Sequence, residues 1–252
     1  MKLTIGHLYP DLLNLYGDRG NIQCMMKRLQ WRGIEAETIE FEIQDEVDFS
    51  ELDIVLLGGG SDREQMLVCE RLKEIRDDFK AYVEDGGVVL AVCGGYQLLG
   101  THYSTDQGVI EGLSIVDIYT EQGKDYRLID NIVLESELSD MPVVGFENHG
   151  GRTYIKDQKP FGKVIYGSGN DGQSGYEGII YKKCDRNLIC TDRFSQKNPQ
   201  ICDYLLTKAL ERKYKKPIEL APLDDTEERE ANTYIYQRFK GKVSRPQDQE
   251  QI

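Results

Sequence analysis

The chain has 252 residues, 39% of them apolar and 30% charged, with a net charge of −13. This composition fits a soluble globular protein of one large domain, or one domain plus an extension, and it argues against phosphate-backbone binding, which needs clustered Lys and Arg. No secretory signal opens the chain, no apolar run is long enough to span a bilayer, and six cysteines without a CxxC pair read as reduced thiols of a cytoplasmic protein.

In chain order, Lys2–His7 reads as a first strand. Residues 10–19 read as a loop or short helix, and a helix follows from Gly20 to about Trp31. Ile34–Phe41 is a second strand. Asp53–Leu57 is a third, apolar and followed at once by Gly58-Gly59-Gly60. Ser61 and Glu64 have the spacing of a capping box, and Leu72, Ile75, Phe79 and Val83 continue one helix at a spacing of three to four. Val88–Val92 is a fourth strand, buried by its uninterrupted apolar character. This β–α–β–α order predicts a doubly wound, mostly parallel sheet with helices on both faces and ligands at the strands' carboxyl ends.

The second half predicts an antiparallel extension. Short apolar runs fall at Ile129–Glu135, Val143–Glu147, Val164–Tyr166 and Glu177–Tyr181, and residues 168–175 read as an exposed loop. A helix is expected over Pro199–Tyr214. The charged stretch after Pro217 reads as a solvated helix with a frayed end. The expected domains are therefore 1–215 and a C-terminal extension over 216–252.

Chemistry is concentrated where the fourth strand ends. Cys93 is followed by Gly94-Gly95 and a short apolar helix, the sulfur counterpart of a nucleophile elbow. A helix N-terminus lowers a thiol pKa and offers N–H groups to an oxyanion. Taken alone, Cys93 reads as a core cysteine beside a turn, and Gly58–Gly60 as a phosphate loop or a plain turn. Together they suit acyl transfer, with Cys93 as nucleophile and Gly94, Gly59 and Gly60 as oxyanion donors.

Four stretches carry a specific resemblance: Leu-Asn-Leu-Tyr-Gly-Asp at 13–18, Leu-Gly-Gly-Gly-Ser-Asp-Arg-Glu-Gln at 57–65, Cys-Gly-Gly-Tyr-Gln at 93–97 and Gly-Phe-Glu-Asn-His-Gly-Gly-Arg-Thr at 145–153. Lys197-Asn198-Pro199 and Asp203-Tyr204-Leu205-Leu206 add to it. The chain resembles class I glutamine amidotransferases of the cobyric acid synthase-like branch and, within it, the glutaminase subunits of lipid II isoglutaminyl synthase (GatD-type). The resemblance implies a flavodoxin-like fold and hydrolysis of L-glutamine through a Cys93 thioester. It implies that ammonia passes to a Mur-ligase-like (MurT-type) subunit, which amidates the D-glutamate α-carboxyl of lipid II to D-isoglutamine. ATP and Mg are then expected on that partner, with no cofactor or metal in this chain. Arg127 matches the arginine that holds glutamine, and Gln97 either lines the same pocket or packs behind the elbow. Alternatives are a catalytically impaired, partner-binding subunit and an amidotransferase for another acceptor such as cobyrinate.

The family's general-base histidine has no counterpart. Its slot, counted back from Asn198-Pro199, is Thr191, which cannot take a thiol proton at neutral pH. His149 stands beside the expected site wall, whereas His7 and His102 read as structural. A codon set for Ile189–Gln196, ATT TGC ACG GAC CGT TTC TCC CAA, read one nucleotide earlier encodes Tyr-Leu-His-Gly-Pro-Phe-Leu-Pro. After a Leu188 codon ending in T, that peptide is the family motif, with histidine in the slot of Thr191, so a compensated double frameshift across about 187–197 is expected, either a sequencing error or a real lesion.

Overall fold

The structure is a computed structural model. It describes residues 1–13, 19–106, 108–124, 126–181 and 197–242, and the backbone of 188–191. The first half holds β1 (Lys2–Leu8), α1 (Arg19–Trp31), β2 (Glu35–Phe41), β3 (Ile54–Leu57), α2 (Asp62–Glu74), α3 (Arg76–Glu84), β4 (Val88–Val92) and α4 (Gly94–Leu98). Then come β5 (His102–Thr105), β6 (Gly108–Glu111), β7 (Tyr119–Gln122), β8 (Leu128–Glu135), β9 (Val143–His149) and β10 (Gly151–Tyr154). β11 (Gly162–Tyr166), β12 (Tyr176–Glu177), β13 (Ile179–Tyr181), β14 (Leu188–Thr191), α5 (Pro199–Tyr214) and α6 (Thr226–Phe239) complete the described chain.

The principal sheet has the order β13-β14-β4-β3-β1-β2. β2, β1, β3, β4 and β14 run parallel, and β13 joins antiparallel at the edge. Its apolar strands serve two cores. Val55, Leu57, Val89 and Ala91 face one core with Val68, Leu72 and Phe79 of α2 and α3. Ile54, Leu56, Val88, Leu90 and Val92 face the other with Met25 of α1 and Leu205 of α5. A strand buried on both faces must be apolar at every position, and β3 and β4 are. The expected doubly wound sheet is thus present.

The rest departs from expectation in particular places. The second half adds β14 and the antiparallel β13 to the first sheet and also builds two further four-stranded sheets, β10-β7-β5-β6, in which β5 and β7 pair parallel, and the antiparallel β12-β11-β8-β9. The expected helix through Ile75 is broken there: Ile75 leaves helical geometry at φ −105° and ψ 11°. The break keeps the apolar stripe on the core, where Phe79 stacks on Phe49 with centroids 5.0 Å apart. The run Glu177–Tyr181 divides at Gly178, whose φ of 57° turns the chain from the third sheet into the first. The loop at 168–175 is not uniformly exposed. Asn170 is buried and accepts from Gly178 N–H through Oδ1 at 2.9 Å, while Thr153 N–H donates to its carbonyl at 2.8 Å.

α6 is solvated on most of its circumference, but it is docked. Ile235, Tyr236 and Phe239 pack against Val133, Val144 and Tyr166 of the third sheet. Just before α6, Asp225 pairs with the buried Arg28 of α1 at 2.6 Å, and Arg28 also pairs with Asp203 of α5 at 2.6 Å. Burial alone would lower the Arg28 pKa, but the bonds to Asp203 and Asp225 outweigh it and raise it. The expected C-terminal extension is therefore tied to α1 and α5, on one face of the principal sheet, and to the third sheet.

Candidate active site

β3 and β4 lie side by side with Leu57 opposite Ala91, so the Gly58–Gly60 turn and Cys93 emerge together at the carboxyl edge. Cys93 itself sits at φ 51° and ψ −114°, a conformation that costs a non-glycine residue of order 1–3 kcal/mol. The elbow is sharp because α4 begins at the next residue, close under β3. A Cβ on Gly95 would lie 2.5 Å from the Leu57 carbonyl oxygen and 2.8 Å from that of Gly58. Gly95 N–H donates to the Gly58 carbonyl at 3.0 Å, which locks the two turns together. With five residues, α4 supplies local N–H groups rather than a long dipole.

The other glycines are equally constrained. A Cβ on Gly59 would stand 2.9 Å from Cβ of Cys93 and 3.3 Å from Sγ. One on Gly60 would meet the Leu12 carbonyl oxygen at 2.9 Å. Gln65 covers Gly94 and donates from Nε2 to the Gly60 carbonyl at 3.0 Å, which fixes that peptide. The capping box forms as the spacing predicts: Ser61 Oγ accepts from Glu64 N–H, and Glu64 Oε2 accepts from Ser61 N–H.

A cavity of about 400 Å³ opens above this turn. Cys93 and Gln97 of the elbow line it together with Gly60 and Arg127, which are distant in sequence. Arg127 is oriented by Asn148, to whose Oδ1 it donates from Nε at 3.2 Å and to whose carbonyl it donates from Nη2 at 3.1 Å. Gln97 is buried in the wall, with Nε2 2.8 Å from where a Cβ on Gly151 would be. Thr191 ends β14 directly beside Val92, the residue before Cys93. The expected slot is thus adjacent to the elbow strand, and the side chain of Thr191 and residues 192–196 lie outside the described residues.

His149 lines the same cavity and is buried, with Nδ1 2.8 Å from the Gly151 carbonyl oxygen, which fixes a hydrogen on that nitrogen. His7 is sealed in the parallel sheet, and His102 stacks on Tyr119 at 5.3 Å, away from the cavity lining. Sequence reasoning missed Tyr103, Asp62 and Asn148 in the wall. Tyr103 donates its hydroxyl to Asp62 Oδ1 at 3.3 Å, and burial, then Asp62, raises its pKa. Asn148 had a signal, since it lies in the 145–153 stretch. Tyr103 had none, because β5 carries no alternation that marks it.

The sequence profile of the CobB/CobQ-like glutamine amidotransferase domain matches residues 4–192. The GatD subunit of the glutamine-hydrolysing lipid II isoglutaminyl synthase of Staphylococcus aureus is 44% identical over 241 residues, covering 94% of this chain and 96% of the relative. The subunit of the same name from Streptococcus pneumoniae is 37% identical, covering 89% and 86%. Among solved structures, the glutaminase domain of Trypanosoma brucei CTPS aligns over 87% of this chain and 96% of its own, with a TM-score of 0.52 at 10% identity, a likeness of fold alone. A profile matched over most of the chain, with two relatives aligned nearly end to end, makes this chain a member of the CobB/CobQ-like glutamine amidotransferase family.

Proposed function

We propose that the chain is the glutamine-hydrolysing subunit of a lipid II isoglutaminyl synthase. The observation that carries this reading is the convergence of Cys93, Gly60 and Arg127 on one cavity of about 400 Å³, in a chain whose relatives aligned over nearly their full length bear that name. Arg127 grips the α-carboxylate of L-glutamine, a two-pronged task suited to a guanidinium. The Cys93 thiolate attacks the side-chain amide carbon, and N–H groups of Gly94 and of Gly59 or Gly60 receive the oxyanion. Each such donor is worth roughly 3–4 kcal/mol in the transition state. Collapse of the tetrahedral adduct breaks the C–N bond, and the amide nitrogen leaves as ammonia with the proton that the Cys93 thiol gave up. Water then cleaves the thioester to glutamate and regenerates Cys93. Gln97 and Tyr103 wall the substrate's side chain.

The ammonia acceptor is a Mur-ligase-like partner that holds ATP and Mg and activates the D-glutamate α-carboxyl of lipid II, and the pair works in the cytoplasm. Among the described residues, no helix is long and apolar enough to cross a membrane. A second reading, a partner-binding subunit with impaired hydrolysis, is favoured by Thr191 standing in the base slot. Losing the base of a nucleophile–base pair slows turnover by roughly 10²- to 10⁴-fold. Ammonia release by the purified chain decides between them: turnover abolished in Cys93→Ala supports the first, and none above the uncatalysed rate in either protein supports the second. Co-purification with a Mur-ligase-like protein tests the partner, and failure to associate removes it.

A further inference from the structure

One wall of the Cys93 cavity is fastened from a distance by the C-terminal helix. β9 is an edge strand of the third sheet, and its far end carries Asn148 and His149 into the cavity wall. At Val144, on the same strand, the open backbone edge is closed by a side chain. Val144 N–H donates to Asn198 Oδ1 at 2.9 Å, and Asn198 Nδ2 donates to the Val144 carbonyl at 2.8 Å. Asn198 thus takes the place of a neighbouring strand.

Asn198 is in turn held by α6. Nδ2 of Asn232 points at three oxygens: the Pro142 carbonyl at 2.9 Å, the Lys197 carbonyl at 3.2 Å and Asn198 Oδ1 at 3.2 Å. Asn198 and Asn232 are each only 1% exposed, so water does not substitute for these bonds. Three acceptors admit only the amino half of the amide, so the orientation of Asn232 is fixed. α6 itself is anchored on both sides of Asn232, at Asp225 through Arg28 and at Phe239, whose ring lies 4.4 Å from that of Tyr166.

We propose that Asn232 is a positioning residue for the glutamine site, acting through Asn198 on β9 and so on the Asn148 that orients Arg127. This inference rests on the amidotransferase reading of the cavity. It assigns the C-terminal extension, which lies beyond the matched family profile, a part in substrate binding.

The test uses the whole chain and needs no turnover. The alkylation rate of Cys93 by iodoacetamide is measured by peptide mass spectrometry, with and without L-glutamine. Asn232→Asp keeps the shape and turns a carboxylate toward three acceptors, and Asn232→Ala removes the bonds alone and serves if the first variant does not fold. The expected result is that the L-glutamine concentration giving half protection rises roughly tenfold, the scale of losing one buried bond, while the unprotected rate stays within about twofold. Unchanged protection in a folded variant overturns the proposal, as does a loss of the unprotected rate in parallel with thermal stability. If L-glutamine fails to protect the unsubstituted chain, the amidotransferase reading is what has failed. Amide hydrogen exchange over residues 143–149 then decides the positioning link: faster exchange in the variant supports it, and unchanged exchange removes it.

Discussion

Gly59 faces Cys93 so closely that the smallest side chain at 59 would press on the nucleophile, 2.9 Å from its Cβ and 3.3 Å from its Sγ. The β3–β4 register brings both positions to the same edge of the sheet. Gly59→Ala should therefore shift Cys93 more than it shifts the fold. Ammonia release and Cys93 alkylation should fall steeply, at a stability loss of about 1–3 kcal/mol. Full activity in Gly59→Ala would mean that the turn is not part of the site.

Arg127 has its guanidinium pre-aimed by Asn148 at the cavity mouth. Charge-assisted bonds are worth about 1.5–3 kcal/mol, so Arg127→Ala should raise the KM for L-glutamine roughly 10- to 100-fold, with a smaller change in kcat. Arg127→Lys should recover only part of this, since an ammonium lacks the planar fork. Steady-state kinetics on the three proteins check it. An unchanged KM in Arg127→Ala contradicts the assignment.

His7 predicts how stability depends on acid. It is fully buried on β1 and neither ring nitrogen has a hydrogen-bond partner among the described residues, so burial, helped by the charge of Arg19, lowers its pKa from 6.5 to about 4. The unfolded chain then binds more protons than the folded one between those two values. Stability is complete above about pH 6.5 and declines as pH falls toward 4, by about 3 kcal/mol for this one group. His7→Leu should flatten that part of the curve in denaturant titrations at pH 4.5 and 7. An equal slope in both proteins would assign the acid sensitivity to other groups.

Arg28 joins α1, α5 and the start of the C-terminal extension through Asp203 and Asp225. Arg32 also pairs with Asp203 at 2.6 Å, so Arg28→Ala leaves Asp203 partnered and strips Asp225 of its Arg28 bonds. Breaking such a buried pair costs about 3–5 kcal/mol. The strain on α6 should appear as faster proteolysis between Pro217 and Asp225 as well as a lower melting temperature. A variant cut no faster than the parent would separate the network from α6 docking.

The frame of the gene is open to direct reading. Thr191 ends the strand paired beside β4, where the resemblance expects the base. DNA across codons 185–200 should match the shifted peptide with histidine in that slot. A codon set incompatible with that reading makes Thr191 genuine, and His149 is then the histidine that shares the cavity with Cys93.

The parallel half was legible because each element carries its own signal. β3 and β4 are apolar at every position, Ser61 and Glu64 spell a capping box, and glycines stand where backbones nearly touch. Cys93, Gly60, Gln97 and Arg127 line one cavity. β5, β6, β7 and β10 were missed, since four-residue strands mixed in polarity give no usable period. The break at Ile75 has no glycine or proline to mark it. α6 looked fully solvated because its charges hide a narrow seam at Asn232, Tyr236 and Phe239, spaced four and three residues apart.

The central claim is that Cys93 accepts the γ-glutamyl group of L-glutamine, and an acid-quenched digest of the chain incubated with L-glutamine measures this most directly. The acid quench halts hydrolysis of the thioester and so traps whatever acyl-enzyme is present at that moment. The account predicts a glutamyl group on the peptide containing Cys93, released by hydroxylamine and absent from Cys93→Ala. Ammonia formed at the same rate by Cys93→Ala, with no acyl group on this cysteine in the parent chain, would contradict it.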